Sequence, residues 1–191
     1  MDISYYDYPW KHIIVDNLLD QESFTGLINY IESVYDFTKA TKGYKELHNK
    51  DSNSYISNLL CPKILELKDL LFDKLNYANK ILPLEYYPVI ELVICPPNYK
   101  YGRIHQDTDY KLMTTVLYVY PEISDGTEIY SREDRDSYFG SVEWKQNRAL
   151  CFVGQSNPEY QQSWHDYQNS KSYPRVTMNL NLSKTIHGKS Y

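Results

Sequence analysis

The sequence predicts an α+β fold that is mainly β, with helices in the first part of the chain and strands in the rest. Apolar residues recur at helical spacing in the first part, and from about Pro88 their pattern changes to strand-like alternation. Tyrosine favours half-buried strands, and the chain has 21 tyrosines in 191 residues. We therefore expect a single domain, 1–191, in which helical support over about 1–85 precedes a β core over about 86–185.

The helical part is expected to contain two helices joined by a polar loop. Asp20 can cap the first helix, which carries Glu22 in its first turn. The second helix is expected to begin at Pro62, because proline is tolerated in the first turn of a helix. The segment 40–56 between the helices is polar and is predicted to be a surface loop.

The β part divides into seven candidate strands separated by turn signals. The candidates are 89–95, 112–120, 128–131, 141–144, 149–153, 161–167 and 175–182. Pro96, Pro121 and the turn 124–127 are typical of strand ends. Closely spaced strands without helices between them predict an antiparallel sandwich or barrel.

Composition narrows the possible partners. A formal net charge of −5 argues against nucleic acid, since nucleic-acid-binding proteins normally carry a basic stripe. No apolar run approaches membrane-spanning length, and the first residues lack the apolar region of a secretory leader. Three cysteines without metal-ligand spacing indicate reduced thiols. We expect a soluble, cytoplasmic protein without a membrane partner.

One of the five histidines begins an HxD triplet. His105 and Asp107 are two residues apart, so on an extended segment their side chains lie on the same side. His165, in the strand candidate 161–167, is the expected third ligand. Two histidines and one carboxylate leave open positions on a metal, which suits non-haem Fe(II) chemistry. Asp109 is a rival carboxylate, but its position four residues along takes it away from His105.

The last strand candidate, 175–182, alternates polar and apolar residues. Its polar residues are Arg175, Thr177, Asn179 and Asn181. The strand either exposes this face to solvent or points it into a barrel. An inward Arg175 can bind a carboxylate through two parallel hydrogen bonds. Both an HxD triplet and such alternation occur by chance, but their combination with His165, ten residues before Arg175, favours the inward arrangement.

These motifs together resemble the Fe(II)/2-oxoglutarate-dependent dioxygenase superfamily, and most of all its prolyl-4-hydroxylase-like branch. The resemblance rests on HQD, the long strand 112–120, a Gly-Thr turn, and WHDY with RVT ten residues on. The opening HIIVDNLLDQESFTGLINYI also resembles the lead-in strand and helix of the family. The resemblance implies a double-stranded β-helix, that is, a jelly-roll or cupin-like core, buttressed by N-terminal helices.

The resemblance also implies roles for particular residues. The implied iron ligands are His105, Asp107 and His165. Arg175 would bind the distal carboxylate of 2-oxoglutarate. Tyr118 matches a tyrosine that often shares this carboxylate, and Thr177 matches a hydroxyl residue that often lies two positions after the basic residue.

The implied reaction is hydroxylation of a substrate C–H bond with release of succinate and CO₂, with O₂ as co-reactant. A prolyl or similar residue in a peptide is the expected substrate, and a small molecule is the runner-up. Cys95-Pro96-Pro97 stands where some protein-prolyl hydroxylases have Tyr-Pro-Gly, so the substrate class stays open. The candidate residues for a substrate rim are Tyr99, Tyr101 and the loop 155–163, which can equally be ordinary surface residues.

Two other functions remain open. One is a catalytically silent cupin-like domain that binds metal without turnover. The other is a nucleic-acid dealkylase of the same superfamily, which is disfavoured by the acidic balance and by the lack of a second arginine on the last strand.

Overall fold

The computed structural model describes residues 1–36, 44–49, 54–74, 86–100, 103–155 and 161–184. This part of the chain is mostly β, as the sequence predicts. Its helices are α1 (Gln21–Val34) and α2 (Tyr55–Lys74), with a short 3-10 turn at Arg135–Ser137. Its strands are β1 (Asp2–Tyr6), β2 (His12–Asp16), β3 (Tyr44–Asn49), β4 (Tyr87–Cys95), β5 (Tyr99–Lys100), β6 (Lys111–Tyr120), β7 (Thr127–Tyr130), β8 (Tyr138–Val142), β9 (Ala149–Val153), β10 (Trp164–Asn169) and β11 (Arg175–Ser183).

The described strands form two sheets. The large sheet has the order β1-β2-β9-β6-β11-β4-β3, and the small sheet has the order β5-β10-β7-β8. Every pairing between these strands is antiparallel. From β4 to β7, and again from β8 to β11, successive strands alternate between the two sheets. The result is a β-sandwich of the jelly-roll type.

One face of the large sheet packs against both helices. Apolar residues at helical spacing (Phe24, Leu27 and Ile31) place one side of α1 in this core, and Asp20 caps the helix by accepting a hydrogen bond from the Ser23 amide at 2.8 Å. From β11 the same core receives Val176, Met178, Leu180 and Leu182. Among the described helices, none is long and apolar enough to cross a membrane.

The other face of the large sheet lies against the small sheet. An aromatic-rich cluster fills one part of this interface with Trp10, Tyr118, Ile129, Val142, Trp144, Leu150 and Phe152. The remaining part is lined by polar side chains from β4, β6, β11, β7 and β10 and contains a cavity. The polar face of the last strand therefore points inward, as the second interpretation of its alternation predicts.

Among the described residues before position 86, the structure differs from the prediction at β3 and at the start of α2. Within the expected loop 40–56 the chain forms β3, which pairs with β4 at the edge of the large sheet. The helix α2 begins at Tyr55 rather than at Pro62, so the proline lies inside the helix. The better start signal is Ser54, whose hydroxyl accepts a hydrogen bond from the Ser57 amide at 3.2 Å.

The early start of α2 has a physical reason. Five residues on one side of the helix are fully buried, namely Ile56, Leu60, Ile64, Leu67 and Leu71. Two of them, Ile56 and Leu60, precede Pro62, so a helix that began at Pro62 would leave unburied apolar surface worth about 1.5–3 kcal/mol for each of these side chains. This burial offsets the loss of the hydrogen bond that Pro62 cannot donate. The first part of the chain thus supplies β1, β2 and β3 to the large sheet as well as the helices.

Candidate metal centre and its cavity

The two histidines predicted as ligands lie side by side, on neighbouring backbone segments. His165 lies on β10, and His105 lies in the segment between β5 and β6. Their backbones form an isolated antiparallel bridge, in which each amide donates to the carbonyl of the other residue at 3.0 Å. Their ring centroids are 4.5 Å apart. Two main-chain hydrogen bonds therefore fix the spacing of the imidazoles.

Asp107 completes this group. One possible ligand atom from each of His105, Asp107 and His165 lies within 4.8 Å of those from the other two. No other such group is found in the described ranges of the chain. The segment after His105 is irregular rather than a strand, yet the two-residue spacing still brings the carboxylate to the imidazoles. Asp109 lies in an exposed turn and is not a member of the group.

Backbone carbonyls orient both imidazoles. The Nδ1 atom of His165 is 2.8 Å from the Ser163 carbonyl oxygen, and that of His105 is 3.3 Å from the Arg103 carbonyl oxygen. A carbonyl can only accept, so we assign the proton to Nδ1 in each ring, which leaves Nε2 as the unprotonated nitrogen that can bind a metal. Burial, together with repulsion from His165, lowers the pKa of His105 to about 4. The ring is therefore neutral near pH 7, the form that binds a metal.

The two carboxylate oxygens of Asp107 have different surroundings. The Nζ atom of Lys111 donates to Oδ1 at 3.1 Å, and the side chains of Lys111 and Asp107 are 6% and 15% exposed. Oδ2 is buried and has no hydrogen-bond partner in the described part of the chain. Burial alone would raise the pKa of Asp107, but the Lys111 ammonium and smaller contributions from other neighbours, His165 first among them, together outweigh it and hold the pKa below its ordinary value. A buried carboxylate oxygen without a donor, beside two imidazole lone pairs, fits a divalent cation.

A cavity of about 200 Å³ connects these residues with the predicted anion anchor. Its lining consists of Glu91, Val93, His105, Asp107, Lys111, Thr114, Val116, Thr127, His165, Tyr167, Arg175, Thr177 and Asn179. Arg175 is 2% exposed, and its Nε atom donates to the Asp125 carbonyl at 3.1 Å. Its Nη2 atom is buried without a hydrogen-bond partner among the described residues. A guanidinium in this state favours a bound anion, because a buried unpaired donor is costly.

Aromatic rings surround the Arg175 guanidinium. Its Cζ atom lies 5.1 Å from the ring centroid of Trp144, 5.2 Å from that of Tyr167 and 5.7 Å from that of Tyr118. These distances allow cation–π attraction, which is stronger where water is excluded. The rings also keep the guanidinium in one place and limit its access to solvent.

Of the two predicted partners of Arg175, Thr177 lines the cavity and Tyr118 does not. Thr177 lines the cavity, as expected for a residue on the same strand face. Tyr118 lies outside the lining, stacked on Trp144, and its hydroxyl donates to Thr127 Oγ1 at 2.8 Å. Thr127 lines the cavity, so the Tyr118 hydroxyl reaches it only through this threonine. Sequence reasoning missed Thr127 although it noted the Gly-Thr turn that contains it.

Two further charged cavity residues were missed by sequence reasoning. Lys111 is 5% exposed and Glu91 is 4% exposed, and Asn179 Nδ2 donates to Glu91 Oε2 at 3.4 Å. The sequence did contain a signal for both residues. Glu91 lies in the middle of the apolar strand β4, and Lys111 is the first residue of the apolar strand β6. Charged residues are rarely buried unless they are paired, so such positions indicate a polar interior.

A close backbone contact supports the start of β6. The Gly154 amide donates to the Leu112 carbonyl at 2.8 Å. A Cβ atom at Gly154 would collide with the carbonyl of Lys111. Only glycine therefore allows this approach, which fixes the backbone of Lys111.

A second, open cavity of about 440 Å³ also borders His105. It is lined by Arg103, His105, Gln106, Glu133, Gln155 and Trp164, and we call it the vestibule. Gln155 Nε2 donates to Gln106 Oε1 at 3.2 Å. Of the predicted rim, Gln155 belongs to the vestibule lining, Tyr99 pairs with β10, and Tyr101 and residues 156–160 lie outside the described residues.

Of the other histidines, His12 is described in full and does not join the site. The ring of His12 is buried at the sheet interface, with Nδ1 2.8 Å from the Trp10 carbonyl oxygen, and stacks on Tyr6. His48 lies on β3. His187 lies outside the described residues.

No protein-family model matches the chain, and comparison with curated proteins gives no sequence match. Solved structures do resemble it. A prolyl-4-hydroxylase from Pseudomonas putida is 11% identical with a TM-score of 0.58, over 90% of this chain and 91% of that one. A viral collagen prolyl hydroxylase from Paramecium bursaria Chlorella virus-1, solved as a 2OG complex, is 11% identical with a TM-score of 0.58, over 91% and 96% of the two chains. A truncated form of the viral protein is 13% identical with a TM-score of 0.57. The chain therefore shares the fold of these prolyl hydroxylases over nearly its whole length.

Proposed function

We propose that the protein is an Fe(II)- and 2-oxoglutarate-dependent dioxygenase that hydroxylates a C–H bond of its substrate. One observation carries the proposal: a single cavity between the sheets combines a two-histidine, one-carboxylate group with a buried guanidinium that has an unpaired donor. The first feature suits Fe(II), and the second suits the far carboxylate of a diacid. The viral structural neighbour was solved as a 2OG complex, which supports this combination.

We further propose that the sandwich is a double-stranded β-helix. Support comes from the eight strands β4 to β11, which alternate between the sheets so that β4, β11, β6 and β9 lie opposite β5, β10, β7 and β8. This core corresponds closely to the predicted range of about 86–185. Single-domain organisation over 1–191, with the first part as its support, remains part of the proposal.

Five of the cavity residues have distinct roles in the proposed reaction. His105, Asp107 and His165 would hold the iron on one side and leave its other positions open. Arg175 would bind the far carboxylate of 2-oxoglutarate with its planar fork, and Thr177 would add a hydroxyl. When bound, Fe(II), 2-oxoglutarate and O₂ supply the oxidation, in which succinate and CO₂ are released and one oxygen atom is added to the substrate.

Tyr118 would act indirectly. Its hydroxyl donates to Thr127 and so orients the Thr127 oxygen for a group in the cavity. Its ring, with those of Trp144 and Tyr167, excludes water from around Arg175 and so strengthens the charge-assisted pair with a carboxylate.

A prolyl or similar residue in a peptide is the proposed substrate. The vestibule shares His105 with the inner cavity and is open, so a bound chain there can present a C–H bond to the metal. Gln106 and Gln155 offer amide donors and acceptors that match a peptide main chain, and Trp164 offers an apolar surface. A free small molecule is the second candidate, because the vestibule also carries one charge of each sign, on Arg103 and Glu133.

The test is succinate release under aerobic conditions, with Fe(II) and 2-oxoglutarate, in the presence of proline-containing peptides or of pooled metabolites. We expect peptide-stimulated release and a product heavier by one oxygen atom in mass spectrometry. Stimulation by a small metabolite without peptide oxidation would transfer the proposal to the second candidate. Metal and 2-oxoglutarate binding without any succinate release would instead indicate a catalytically silent cupin-like domain.

A further inference from the structure

Lys111 occupies the cation position beside the proposed ligand Asp107. Its Nζ atom lies 3.1 Å from Asp107 Oδ1, and both side chains are largely buried. The ammonium thus neutralises a carboxylate that would otherwise be a buried, unpaired charge, which is strongly unfavourable. The backbone of Lys111 is fixed by Gly154, but its four-carbon side chain can still rotate.

A second carboxylate lies within the reach of the Lys111 charge. Glu91 lines the same cavity and is 4% exposed, and both Glu91 and Asp107 attract the Lys111 ammonium. The charges of the cavity lining balance, with two cations (Lys111 and Arg175) and two carboxylates (Glu91 and Asp107). A divalent ion on Asp107 would disturb this balance unless Lys111 changed its partner.

We propose that Lys111 is a positioning residue that serves as the counter-ion of Asp107 in the metal-free site and turns to Glu91 when a divalent ion binds. The inference rests on the metal site of the proposed function. Two cations on one buried carboxylate repel each other strongly, because the interior screens charge poorly. Glu91 receives the displaced ammonium, so neither buried charge is left unpaired. Asn179, which donates to Glu91, keeps that carboxylate in the cavity.

Two substitutions test the two halves of the exchange. Lys111→Met removes the ammonium that competes for Asp107, so we expect metal to bind at least about tenfold more tightly while the metal-free protein becomes less stable. Glu91→Gln removes the second acceptor, so we expect metal to bind at least about tenfold more weakly. If Lys111 had only a structural role, the two substitutions would not change metal affinity in opposite directions.

Metal affinity is measured by anaerobic calorimetric titration with Fe(II) and, separately, with Mn(II). Thermal unfolding is measured with and without each ion. Lys111→Met should show a lower Tm without metal and a larger rise in Tm on adding metal. Lys145→Met is the matched control, because Lys145 pairs with Asp16 at the surface, away from the cavity, and its loss should leave metal affinity unchanged.

Three results would overturn the inference. They are weaker or unchanged metal binding by Lys111→Met, unchanged binding by Glu91→Gln, and equal losses in both variants. If Lys111→Met does not fold without metal, Glu91→Gln decides alone. If the unmodified protein binds no divalent ion, the proposed metal site fails together with this inference, whereas metal binding with the wrong response to substitution removes the inference alone.

Discussion

The two faces of the large sheet are both buried, yet their chemistry is opposite. On β11 the apolar residues Val176 and Met178 are fully buried against the helices, and on the other face Arg175 and Thr177 are each only 2% exposed. Exposure therefore does not explain the alternation. One face packs against the apolar sides of the two helices, and the other lines a cavity that contains charged side chains. Within a single strand, stability and binding are thus assigned to alternate residues.

The largest effect on the cavity face is expected from His165→Ala. The variant removes one of the three proposed ligands and should abolish Fe(II) binding, while the fold stays largely intact. Anaerobic Fe(II) titration measures the affinity, and far-ultraviolet circular dichroism checks the fold. His12→Ala, which removes a buried histidine outside the group, is the control. Unchanged Fe(II) affinity in His165→Ala would show that the ligand assignment is wrong.

The helix face should respond in stability instead. Met178→Ala leaves a cavity in the core between β11 and the helices, and we expect a loss of about 2–5 kcal/mol in the free energy of unfolding. Because Met178 points away from the cavity, Fe(II) and 2-oxoglutarate affinities of the folded protein should stay the same. Urea unfolding measures the loss. A changed affinity for either ligand would mean that the two faces are coupled.

Met178→Ala is expected to lower stability, whereas Arg175→Ala is expected to lower the affinity for 2-oxoglutarate. Hydrogen bonds to charged groups contribute about 1.5–3 kcal/mol each, so loss of the fork should weaken 2-oxoglutarate binding at least about tenfold. Fe(II) affinity should hardly change, because Arg175 is not a ligand. The readout is the Fe(II) charge-transfer band that accompanies anaerobic 2-oxoglutarate binding. Arg175→Lys, which keeps the charge without the planar fork, should give an intermediate affinity. A dissociation constant like that of the unmodified protein would contradict the assignment.

The smallest effect is expected at Asn181. It shares the polar face of β11, but it is outside the cavity lining, and neither of its amide atoms has a hydrogen-bond partner among the described residues. Replacing it with leucine, which has a similar size, should raise the free energy of unfolding by about 1 kcal/mol. Its 2-oxoglutarate affinity should not change. A loss of affinity would show that the amide contacts the bound diacid.

Much of the site was accessible from the sequence because it depends on local spacing. His105 and Asp107 are two residues apart, and the alternation after Arg175 places its side chain on a defined face. Joining these to His165 required only the assumption of a strand-rich fold. The structure brings the three metal-site residues and Arg175 to one cavity, and their binding of iron and 2-oxoglutarate stays a prediction.

The remaining features depend on contacts between distant segments. The Tyr118 hydroxyl donates to Thr127 because the two sheets pack against each other, and no local sequence pattern predicts this contact. The pair of Lys111 and Asp107 is local, but its meaning depends on Glu91 from another strand. Similarly, β3 is polar in sequence and forms because the edge of β4 offers backbone hydrogen bonds. Tertiary structure outweighs local preference at each of these positions.

The tight contact at Gly154 limits how this protein can change during evolution. Any larger residue there would push the carbonyl of Lys111 and move the ammonium relative to Asp107. Position 154 and the geometry of Lys111 can therefore diverge only together, through paired substitutions. The vestibule has no such restriction, because Gln106, Glu133 and Gln155 border an open space. A directed-evolution library that varies these three positions and keeps Gly154 constant should alter substrate choice without disturbing the proposed metal site.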